Sequence, residues 1–188
     1  MGRLAFRLAR TLRNLLAECV VLALLLAVAV LLPRGSAIEG QASVIDGDSL
    51  RIGEHEIRLL GLDAPEYRQT CRAQGADWPC GRQARDALRA MTQMRELSCI
   101  AEGYDRYGRT LAYCRSGEDD INAMLVRQGW AVASGDFEPE EVAATREKVG
   151  IWRGEFDLPR DHRAGRRRFG WLSALDWPWT FKWPWQGE

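Results

Sequence analysis

Val44-Ile45-Asp46-Gly47-Asp48-Ser49-Leu50-Arg51-Ile52-Gly53-Glu54-His55-Glu56-Ile57-Arg58-Leu59-Leu60-Gly61-Leu62-Asp63-Ala64-Pro65-Glu66 is the stretch on which the fold turns. Its aliphatic and β-branched residues fall in short runs, cut by glycine-bearing turn signals at Asp46-Gly47-Asp48 and Ile52-Gly53-Glu54. Strands are therefore predicted over 42–46, 49–52 and 54–62. Strict alternation along the last of these puts Arg58, Leu60 and Leu62 on one face and Leu59, Gly61 and Asp63 on the other. A charged Arg58 on a leucine face requires an anionic partner.

Working outward, two more β-like runs, 97–101 and 109–114, flank a polar loop that suits a hairpin. A helix over 82–93 carries Ala84, Ala87, Leu88 and Met91 at helical spacing. Further helices are predicted over 121–128, stopped by Gly129, and over 139–149, opened by Pro139 and closed by Gly150. Five short strands and about three helices make the domain mainly β with α additions, an α+β chain built on a small five-stranded barrel of OB type.

At 188 residues the chain is about one domain long. With 46% hydrophobic and 28% charged residues, it is not collagen-like, coiled-coil or wholly disordered. Its 26 basic and 26 acidic residues cancel, which on its face argues against a nucleic-acid partner. The sum conceals three segments. Residues 1–37 hold five arginines and one acid, residues 38–160 hold 16 basic and 22 acidic residues, and residues 161–188 hold five and three. We read these as a basic leader with an apolar helix, a folded domain, and a basic Trp/Pro-rich tail.

Cys19 to Leu32 is 14 uninterrupted Cys, Val, Leu and Ala residues behind a run of arginines. That is the length of a signal-peptide core and short of the roughly 20 residues of a membrane span. Counting back past Glu18 lengthens it, so a cleaved signal and a retained anchor both fit. Either way the arginine bias keeps the N-terminus in the cytoplasm and sends residues 38 onward to the periplasm or cell envelope. Cys71, Cys80, Cys99 and Cys114 are an even set in a chain read as exported, and the expected pairs are the local ones, Cys71–Cys80 and Cys99–Cys114. Their spacings do not match a zinc ribbon.

Carboxylates at separate strand ends, as in Asp46-Gly47-Asp48 and at Asp63 and Glu66, can converge on a hard cation. The ordered motifs Val44-Ile45-Asp46-Gly47-Asp48-Ser49, Arg58 to Glu66, Asp105-Arg106-Tyr107-Gly108-Arg109-Thr110-Leu111-Ala112-Tyr113 and Asn122 to Gly129 together resemble the staphylococcal nuclease (thermonuclease) family over about residues 42–154. The resemblance implies calcium-dependent hydrolysis of DNA or RNA phosphodiesters. It implies Asp48, Asp63 and the main-chain carbonyl of Ala64 as calcium ligands, and Arg58, Glu66 and Arg109 as catalytic residues.

The acidic balance of 38–160 opposes a polyanion and predicts weak, salt-sensitive binding. Another class of reading is a non-catalytic OB-fold module binding nucleic acid or protein, but such modules usually lack the full charged set. A monomer is expected. Five of the eight tryptophans lie in the last 18 residues, behind Arg163, Arg166, Arg167 and Arg168. Membrane contact, base stacking, packing onto the barrel, and disorder are all open to this tail. Trp78, Trp130 and Trp152 are expected to be packing residues.

Overall fold

A computed structural model describes residues 18–24 and 37–166. Residues 18–24 are helical and belong to an N-terminal unit separate from the folded domain. Among the described residues no helix is long and apolar enough to cross a membrane. Most of the apolar run 19–32 and the tryptophans of the tail lie outside the described residues.

The domain begins with β1 (Ala37–Gln41), β2 (Ser43–Asp46), β3 (Ser49–Ile52) and β4 (His55–Leu59), followed by the short β5 (Leu62–Asp63). A small hairpin, β6 (Cys71–Ala73) and β7 (Ala76–Trp78), leads into α1 (Cys80–Thr92). The long strands β8 (Glu96–Tyr104) and β9 (Thr110–Ser116) come next, then β10 (Asp119–Asp120), α2 (Ile121–Arg127), β11 (Val132–Ala133) and α3 (Glu138–Glu147). A 3-10 turn, Gly150–Arg153, and α4 (Pro159–Arg163) complete the described chain.

Hydrogen bonding orders the main sheet β1-β8-β9-β4-β3-β2, with β10 added to β9. The two ends of that path, β1 and β2, are separated in the chain only by Ala42. The sheet therefore curls back on itself, and β1 with β2 acts as one bent strand of a five-stranded OB-type barrel. The β4–β9 pair is parallel, and the other neighbours are antiparallel.

Side chains of alternating strand positions fill the interior: Leu50, Ile57, Leu59, Leu97, Cys99, Ala112 and Cys114. Leu88 of α1 and Ile121, Leu125 and Val126 of α2 join the same core. Both expected disulfides are present. Cys99–Cys114 joins directly opposed residues of β8 and β9, and Cys71–Cys80 ties the small hairpin to the start of α1. Trp130 packs on the main core, whereas Trp78 and Trp152 pack on a second cluster of Cys71, Cys80, Val132, Ile151 and Phe156.

The strand predicted over 54–62 stops at Leu59. Leu60 and Gly61 form a turn, with Gly61 at φ +81°, a backbone that a side chain adopts only with strain. The buried Asn122 amide holds this turn, donating to the carbonyls of Leu60 (2.9 Å) and Ala112 (3.3 Å) and accepting from the Cys114 N–H. Strict alternation is therefore broken between Arg58 and Asp63, and the two meet rather than face apart.

Candidate active site

The site is assembled at the ends of β3, β4 and β5. Asp48 closes the β2–β3 turn, and its carbonyl accepts the Leu59 N–H at 2.9 Å, which sets its side chain beside Arg58. Nη2 of Arg58 lies 2.8 Å from Oδ2 of Asp48 and 2.9 Å from Oδ1 of Asp63. Two buried carboxylates thus converge on one nitrogen. Burial pushes the Asp48 carboxyl above its ordinary pKa, with the Arg58 charge pulling the other way. Asp46, at the other end of the turn, is also raised, chiefly by burial. Ala64, next in the chain, is buried.

Arg109 comes from the loop before β9. Asp105 holds it, accepting from its backbone N–H at 3.0 Å and from Nε at 2.8 Å, with Nη2 at 2.7 Å. A further bond from the Tyr107 N–H at 2.8 Å completes the turn. Burial raises the Asp105 carboxyl, but these bonds outweigh it and hold the pKa below the usual range. The free edge of Arg109 reaches Ser49, with Nη1 3.4 Å from Oγ, and the same hydroxyl donates to Asp48 at 2.9 Å. Beside Arg109 opens a cavity of about 390 Å³ lined by Glu56, Tyr107, Gly108 and Arg109.

Glu66 sits in a tight turn against the start of α1. Its carbonyl accepts the Gln69 N–H at 2.7 Å, and its own N–H donates to the Gln69 side chain at 3.2 Å. A Cβ on Gly81 would stand 1.7 Å from the Glu66 carbonyl oxygen, so only glycine lets α1 approach this turn.

All the side chains singled out in the sequence, Asp48, Arg58, Asp63, Glu66 and Arg109, lie in one hydrogen-bonded network. Glu66 joins it through a residue the sequence reading did not assign to the site, Arg163 of α4. Its guanidinium bonds both oxygens of Asp63 (2.9 and 2.8 Å) and one of Glu66 (2.8 Å). The sequence puts Arg163 in the basic tail that starts at residue 161, whereas α4 runs across that boundary. Gln69 was also missed. Its buried side chain links the Glu66 turn to the Asp157 carbonyl at 2.7 Å. A glutamine that is only 1% exposed in a polar loop carries no local signal of burial.

Among the described residues no set of three or more His, Cys, Asp or Glu side chains is grouped for a metal. The carboxylates of Asp48 and Asp63 come as a pair, and carboxylate oxygens are hard ligands of the kind that calcium or magnesium takes.

The sequence profile described as staphylococcal nuclease homologue matches residues 56–154. The chain belongs to the staphylococcal nuclease family. It is 37% identical over 137 residues to the succinoglycan biosynthesis protein ExoI of Rhizobium meliloti (strain 1021), covering 69% of this chain and 72% of that protein. It is also 38% and 34% identical, each over 96 residues, to the thermonucleases of Staphylococcus intermedius and Staphylococcus hyicus. Those matches cover 48% of this chain and 55% of each thermonuclease, so the chain spans about half the length of these two relatives. Within the staphylococcal nuclease fold, the cysteine-closed hairpin of this chain packs beside the turn that presents Glu66.

Proposed function

We propose that this chain is a calcium-dependent nuclease that hydrolyses phosphodiester bonds of DNA or RNA by attack of water. The observation that carries the reading is the convergence of buried Asp48 and Asp63 on Arg58, in a network that also reaches Glu66 and Arg109. In this reading Asp48, Asp63 and the Ala64 carbonyl hold the cation. Bound there, calcium supplies Lewis-acid neutralisation of phosphate charge and makes nearby water more acidic.

The chain's own residues do the remaining work. A phosphodiester is an anion whose non-bridging oxygens gain charge as water attacks, so preorganised donors favour the transition state over the ground state. Arg109 is preorganised by Asp105, which leaves Nη1 on the side of Ser49 and Asp48. Arg58 supplies a second forked donor. Glu66, held by Gln69 at both its N–H and its carbonyl, accepts the proton of the attacking water.

Two disulfides suit folding in an oxidising compartment, extracellular or periplasmic. With the apolar leader 1–37, this supports an exported, envelope-located domain over 38–160, carried by a cleaved signal or a retained anchor, with the tail 161–188 behind it. We take the domain to act as a monomer.

The test is cleavage of labelled DNA and RNA by the full chain with calcium, with chelator, and with an Arg58→Ala variant. Calcium-dependent cleavage that disappears in the variant is expected. Nucleic-acid binding without cleavage would instead make the domain a binding module. Cleavage indifferent to chelator would remove the cation from the reading.

A further inference from the structure

We propose that Arg163 is an internal counter-ion of this site, which competes with a divalent cation for Asp63 and so lets the C-terminal arm set the site's cation affinity. The inference rests on the reading of Asp63 as a cation ligand. Its geometric basis is independent of that reading. Arg163 engages both carboxylate oxygens of Asp63 and bridges to Glu66, while Arg58 shares Oδ1. A cation that ligates Asp63 must share at least one of these oxygens with a guanidinium, and it meets a like charge already bonded there.

The arm that delivers Arg163 is built into the fold. Glu155 pairs with Arg72 of the disulfide-closed hairpin through two main-chain bonds, 2.8 and 2.7 Å. Phe156 is buried against Trp152, ring centroids 5.1 Å apart, and the Asp157 carbonyl accepts from Gln69. Pro159 and Asp161 of α4 are buried, and Arg166 folds back onto Asp161 at 3.0 Å. The helix is thus anchored through Pro159 and Asp161, up to two residues before Arg163. The Arg163 side chain itself remains 40% exposed, so it can leave the carboxylates for solvent without unpacking the arm. A site whose binding-competent state is only part of the population binds with affinity reduced by that fraction.

The consequences are measurable without turnover. Calcium binding to the full chain is measured by calorimetry for the wild type, R163A, R163Q and R160A, and thermal unfolding is followed in chelator and in calcium. Arg160 is an exposed residue of the same helix, so R160A removes the same charge without vacating Asp63. R163A and R163Q are expected to bind calcium about tenfold more tightly, about 1.4 kcal/mol, with R160A within twofold of wild type. In chelator both Arg163 variants unfold at lower temperature than wild type, and calcium raises their midpoint by more. Calcium binding by the wild type with no tightening in either Arg163 variant overturns the counter-ion role alone, as does equal tightening in R160A. Absence of calcium binding in wild type and variants overturns the proposed cation site and this inference with it.

Discussion

Replacing Gln69 by Leu tests how the Glu66 turn is held. The side chain is buried, so leucine keeps most of its volume but none of its hydrogen bonds. Two bonds go, the one to the Asp157 carbonyl at 2.7 Å and the one from the Glu66 N–H at 3.2 Å. Each leaves a backbone group without a partner, and an unsatisfied buried group costs about 1–3 kcal/mol. Water reaching the half-exposed Glu66 side offsets part of that, so the expected loss is about 2–4 kcal/mol. At roughly 2–4 °C per kcal/mol for a domain of this size, the unfolding midpoint falls by about 5–15 °C. The measurement is thermal unfolding followed by circular dichroism, with urea unfolding as a second probe. Well below the new midpoint, turnover should fall by roughly ten- to a hundredfold, because a displacement near 1 Å of a reacting group costs about that much. A midpoint within 2 °C of wild type would refute the account of Gln69 as the tie between the Glu66 turn and the C-terminal arm.

Arg109→Ala should lower turnover by about 10²–10³-fold, the usual cost of one transition-state donor, with circular dichroism unchanged. Glu66→Gln keeps a hydrogen-bonding partner for Arg163 but no base, so turnover should drop by about 10²-fold or more; undiminished turnover in a folded variant refutes the base assignment. Replacing both Cys71 and Cys80 by Ser opens a loop of sequence separation 9 and should cost about 2.5–3 kcal/mol by loop entropy, read from denaturant midpoints. Tyr113 is raised to about 12 by its hydrogen bond to the Asp136 carboxylate, 2.5 Å away, with burial adding to the shift. The folded chain therefore keeps a proton that the unfolded chain releases near pH 10, and stability falls between pH 10 and 12. Tyr113→Phe should flatten that part of the stability–pH curve.

The acidic balance of 38–160 has a local explanation in the ion pairs. Among its arginines, Arg58 is spent on Asp48 and Asp63, Arg109 on Asp105, Arg95 on Asp119 and Arg127 on Glu147. Asp48 and Asp63 are drawn toward Arg58, while other carboxylates lie at α3, where Glu138, Glu140 and Glu141 occupy the first turn and suit the helix dipole. Net charge therefore says little about the site, and salt sensitivity of substrate binding is the better measure of its field.

Much of this molecule was legible from residues close together in the chain. Aliphatic runs cut by glycine turns specify the strands, because side-chain alternation and turn chemistry are local properties. Cys99 and Cys114 flank one hairpin loop and Cys71 and Cys80 one short loop, so their pairing follows from proximity. The five charged residues that the structure joins in one network were legible as motifs in order. Alternation failed at Gly61, where a left-handed turn rather than a continuous strand brings Asp63 back to Arg58. Only the closed barrel and its C-terminal arm decided the rest. Arg163 stands 100 residues beyond the aspartate it bonds, and Gln69 is 88 residues from the carbonyl it holds. Contacts of that span depend on the closure of every intervening element, which no local pattern of residue types encodes.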